Sequence, residues 1–106
     1  MKDIDVRIGL YPFKVMFVSY SEMDGNDGST FHNDRTIKIR DDLDKVATEL
    51  VIRHEVVHAI LGTQGRVYQK KFDLEDMCEF IAYKTPEIND IVERIMKEYE
   101  SNLNEH

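Results

Sequence analysis

Two histidines and a glutamate in the segment His54-Glu55-Val56-Val57-His58 are the residues best suited to do chemistry in this chain. On a helix, His54 and His58 stand about 40° apart around the axis and one turn apart along it, so both imidazoles project from one face. Two imidazoles so placed can fill two corners of a tetrahedral zinc site. Glu55, beside His54, can reach a zinc-bound water without being a ligand. From there it can take the water's proton during attack on a carbonyl and pass it to the leaving amine. This is the mechanical content of the His-Glu-x-x-His pattern.

A catalytic zinc needs a third protein ligand and an open position. The metzincin pattern would put a glycine three residues after the second histidine and a third histidine three further on. Leu61 and Gln64 occupy those positions, which excludes that class. A glutamate from a later helix is the other route. Glu75 and Glu79 lie four residues apart, again on one helix face. We assign Glu75 as the third ligand and Glu79 as the carboxylate that braces a ligand imidazole, with the reverse assignment as the alternative. An oxyanion donor is also required, and Tyr68, Tyr83 and His32 are the candidates.

These residues need elements to position them. Ile4, Val6 and Ile8 alternate with polar residues, as a half-buried strand requires, and Phe13–Val18 is a denser run suited to a central strand. Ser21 to Gly28 reads as a mobile surface loop, and Thr30–Phe31 with Thr36–Arg40 reads as a hairpin. After Asp41 the period becomes helical. Asp41 or Asp42 is a candidate cap, Asp44 falls in the first turn, and Leu43, Val46, Ala47, Leu50, Val51 and Val57 form the apolar stripe, with Gly62 as the stop. Leu74, Met77, Cys78, Ile81 and Ala82 mark a second helix. Thr85-Pro86 reads as the cap and first residue of a third, which carries Ile88, Ile91, Val92, Ile95, Met96 and Tyr99. The expectation is an α+β fold: an antiparallel sheet of three or four strands within residues 3–40, packed on three helices over about 42–62, 73–84 and 86–102.

Composition narrows the classes. The 106 residues suit one domain, and 14 basic against 21 acidic residues give a net charge of −7. That balance argues against a sequence-independent grip on nucleic acid and against anionic membrane. Cys78 is the single cysteine, which excludes an intramolecular disulfide and a cysteine-based zinc site; on its stripe it reads as a small buried hydrophobe. No signal core and no long apolar run is present, so the expected setting is cytoplasmic.

His54-Glu55-Val56-Val57-His58-Ala59, followed by Glu75-Asp76-Met77-Cys78-Glu79-Phe80-Ile81-Ala82, resembles the compact gluzincins, and in particular the ImmA/IrrE-type metallopeptidases and their small phage-encoded relatives. The resemblance covers about residues 28 to 85 and includes the strand Thr36–Arg40 leading into the motif helix. It implies a single zincin-like domain over residues 1–106, Zn2+ held by two histidines and a glutamate, a glutamate base, and an edge strand that holds a protein or peptide substrate beside the cleft. At the bracing position that pattern usually has aspartate, one methylene shorter than Glu79. The competing expectation is a zinc-stabilised, non-catalytic protein that binds or inhibits a partner.

Overall fold

Alternation dictates the first half of the chain. In β1 (Ile4–Ile8) every second residue is buried, and β2 (Tyr11–Val18) buries Phe13 and Val15 on the same side. A two-residue turn joins them with Ile8 opposite Tyr11, and Gly9 takes φ +62°, the left-handed conformation that tight hairpins reserve for glycine. The computed structural model describes residues 1–64 and 73–104. Its remaining elements are a 3-10 turn (Tyr20–Glu22), β3 (Gly28–Phe31), β4 (Thr36–Arg40), α1 (Lys45–Thr63) and α2 (Leu74–Asn104).

The fold is α+β, but the sheet is mixed rather than antiparallel. Its order is β1-β2-β4-β3: β1 pairs antiparallel with β2, β2 parallel with β4, and β4 antiparallel with its hairpin partner β3. Burial explains the order. Ile37 and Ile39 of β4 are at most 1% exposed and take the interior position, whereas Gly28-Ser29-Thr30 offers little to bury and takes the edge. The chain therefore crosses over through Ser19–Asp27, lays down β3 first, and folds β4 back into the gap.

That crossover is tied down, contrary to its reading as a mobile loop. Met23 is buried, and the Arg40 guanidinium bonds Asp27 Oδ1 at 3.1 Å and Asp42 Oδ2 at 3.1 Å while lying 4.1 Å from the Tyr20 ring centroid. With Asp42 held by Arg40, the cap of α1 falls to Asp44, whose carboxylate accepts from Ala47 N–H at 2.8 Å. The helix thus starts at Lys45 instead of about 42.

The buried face of α1 is Thr48, Ile52, Glu55, Val56, Ala59 and Ile60. Val46 and Leu50, expected on that face, are 70% and 62% exposed. Apolar residues surround most of this helix, so periodicity left its rotation open. The expected second and third helices are one, Leu74–Asn104, with Pro86 inside. Thr85 Oγ1 donates to Ile81 O at 2.6 Å, and the Lys84–Glu87 ion pair at 3.2 Å spans the proline, so the segment carries on despite the missing N–H. The core lies between the inner sheet face, α1 and the second half of α2, where Tyr99 packs on Phe17 with ring centroids 5.1 Å apart. Among the described residues no helix is long and apolar enough to cross a membrane.

Candidate metal centre

The site grows from the contact of α1 with β3. In register, Gly28 faces Ile39 and Thr30 faces Ile37, so both point to the inner side of the sheet, toward α1. Neither is a large apolar residue, because the Glu55 side chain occupies that space. A Cβ on Gly28 would stand 2.6 Å from Val51 Cγ1 and 2.9 Å from Glu55 Cγ, so only glycine fits. Thr30 Oγ1 donates to Glu55 Oε1 at 2.8 Å, and Glu55 O lies 3.2 Å from the same hydroxyl. A carboxylate that is only 6% exposed thus has a fixed donor on one oxygen.

His54 and His58 stand at the solvent edge of the same helix. Their Nε2 atoms are 3.2 Å apart, and the rings meet edge to face with centroids 4.8 Å apart. Two nitrogens on one tetrahedral zinc at about 2.0–2.1 Å stand about 3.3–3.4 Å from each other. The observed separation fits that edge; it also suits one imidazole N–H donating to the other ring. The second oxygen of Glu55, Oε2, lies 4.0 Å from His54 Nε2. Two imidazoles at this separation are a pair of donors for a divalent cation, and the carboxylate braced beside them is a proton acceptor. A groove of about 330 Å³, lined by Asn26, Asp27, Gly28, Leu50 and Val51, opens onto His54 and Glu55.

The structure brings together His54, Glu55 and His58 and leaves the two downstream glutamates apart from them. Glu75 and Glu79 are exposed on the first turns of α2, and among the described residues no three His, Cys, Asp or Glu side chains converge as a metal-holding group. Glu79 instead lines a separate cleft with Asp76, Phe80, Tyr83 and Lys84 against Gln64 at the end of α1. Cys78 is exposed, not buried, as are Leu74, Met77 and Ile81 on the same stripe. Of the oxyanion candidates, Tyr83 is 76% exposed, His32 packs on Gly62, and Tyr68 lies outside the described residues.

Sequence reasoning missed Thr30 and Gly28. The signal available was an edge strand whose inward positions, set by the register of Ile37 and Ile39, are small or polar where alternation calls for apolar residues. No protein-family model matches this sequence, no curated protein matches it, and no solved structure matches its fold.

Proposed function

We propose that the chain is a zinc-dependent metallopeptidase in which His54 and His58 hold the metal and Glu55 is the general base. The observation that carries this reading is the 3.2 Å separation of the two Nε2 atoms next to a buried carboxylate fixed by Thr30. Zinc, when bound, supplies Lewis acidity toward a carbonyl oxygen and toward water. The chain's own residues do the rest. Thr30 holds Oε1 of Glu55 and so keeps Oε2 on the imidazole side, where it accepts a proton and later returns it to the leaving amine. Among the described residues β3 pairs with β4 alone, so its outer edge offers backbone groups to an extended peptide along the groove.

Glu75 is the proposed third ligand, with Glu79 bracing an imidazole. Both sit on the part of α2 before Pro86, where one helical hydrogen bond is missing and bending costs least. The apolar stripe on that part, Leu74, Met77 and Ile81, is exposed; this favours a second reading, a zinc-stabilised protein that docks on a partner.

One set of variants separates the readings. Glu55→Gln is expected to keep zinc and to lower cleavage of a mixed peptide library by roughly 10²–10⁴-fold. Full cleavage by this variant with zinc retained would refute the role of Glu55. Metal analysis of His54→Ala and His58→Ala should show loss of zinc, and Glu75→Gln should lose more than Glu79→Gln. Equal retention in the two glutamate variants would overturn the assignment of Glu75.

A further inference from the structure

We propose that a cleft between the β3–β4 turn and the last turn of α1 binds a carboxylate of the peptide, an acidic side chain about two residues from the bond that faces Glu55. This rests on the peptidase reading for its placement, but the cleft itself stands on separate residues. It is lined by Tyr11, Phe13, His32, Arg35, Gly62 and Thr63 and measures about 190 Å³. Among the described residues no acidic side chain lines it, on a chain whose net charge is −7.

Arg35 is built as a clamp. Its guanidinium lies 4.4 Å from the Tyr11 ring centroid, and no acidic side chain among the described residues pairs with it. Stacking fixes the plane of the fork and leaves its N–H edges for a planar anion, the geometry that suits carboxylate. The backbone that aims it is costly: φ of Arg35 is +51°, a conformation that a long side chain rarely adopts. The Arg35 carbonyl accepts from Lys14 N–H at 3.0 Å and holds the turn in place.

His32 is seated with equal economy of space. A Cβ on Gly62 would lie 2.2 Å from His32 Nδ1 and 2.6 Å from Cε1, so the imidazole edge takes the place of a side chain on α1. Glycine within a helix costs about 0.5–1 kcal/mol relative to alanine, and here that cost lets a second nitrogen-bearing group, beside the Arg35 guanidinium, enter the cleft wall.

Position supplies the ligand class. His32 directly follows β3, two residues beyond Thr30, and Gly62 lies one turn after His58 on α1. At about 3.3 Å per residue, a peptide residue beside His32, the wall of the cleft that continues β3, stands about two residues from the one beside Thr30 and Glu55. If the peptide runs antiparallel to β3, as β4 does on the other side, that residue is on the N-terminal side of the bond.

The test titrates the wild-type protein by ¹⁵N NMR with acetyl-Ala-Glu-Ala-Ala-amide, its Gln isostere and inorganic phosphate. The Glu peptide is expected to move the Arg35 and His32 side-chain signals and to bind at least about tenfold more tightly than the other two. Arg35→Asn, which keeps a residue tolerant of positive φ, should abolish that preference while the melting temperature stays near wild type. Equal affinity for the Glu and Gln peptides, no binding by either, or phosphate binding as tightly as the Glu peptide overturns the proposal. So does a preference that survives in folded Arg35→Asn. Cleavage of longer peptides is scored separately: a Glu preference in binding without any cleavage leaves the cleft intact and removes the peptidase reading.

Discussion

The two halves of α2 carry the same amphipathic signal and meet different fates. After Pro86, Ile88, Ile91, Val92, Ile95, Met96 and Tyr99 are all at most 7% exposed, packed on β1 and α1. Before it, Leu74, Met77 and Ile81 recur at the same spacing and are 76%, 45% and 59% exposed. Periodicity marks a face; burial needs a second layer opposite it. The first half also carries Glu75 and Glu79, which are exposed like the apolar stripe beside them.

The largest test of this contrast is mutational. Ile95→Ala should cost about 2–5 kcal/mol of stability and Ile81→Ala no more than about 0.5 kcal/mol, measured by urea denaturation. Comparable losses would mean that the first half of α2 is covered in solution, and the contrast would fail. Zinc asks the same question. If Glu75 joins His54 and His58, zinc at about 100 times its Kd should add about 2.7 kcal/mol, and Glu75→Gln should lose most of that gain. A melting temperature indifferent to zinc and to chelator would count against the ligand set.

Gly28 examines the opposite extreme, a contact with no room. Gly28→Ala should cost about 1–3 kcal/mol by pushing on Val51 and Glu55, and should lower activity along with stability. An unchanged melting temperature would show that β3 yields easily. The smallest effect belongs to the crossover. The Arg40 side-chain hydrogen bonds hold the Asp42 carboxyl below the usual carboxylate range. Its folded pKa is thus lower than its unfolded one, so the stabilisation is present above the ordinary carboxylate range and is lost as pH falls through the lowered value. Asp42→Asn should lower the melting temperature slightly near neutral pH, and the difference should close on acidification. A gap that is constant with pH would argue against the Arg40–Asp42 pair as its cause.

Much of the site could be read before the fold was known. The convergence of His54 and His58 follows from four residues of helix, and the β3–β4 hairpin follows from short-range alternation and turn residues; both are local geometry. The coarse α+β order follows from the change of period after Asp41. What lay beyond the sequence involves partners distant in the chain. Thr30 and Glu55 are 25 residues apart, and no periodicity links a hydroxyl on an edge strand to a carboxylate on a helix. The parallel pairing of β2 with β4 depended on which strand had more to bury. The rotation of α1, which turned Glu55 inward and left Leu50 outside, was set by its fit against β3 and β4, because a helix apolar on most sides has several faces to offer. Local spacing determined which groups share a face; long-range packing decided which of those faces is covered and which carboxylate stands beside the histidines.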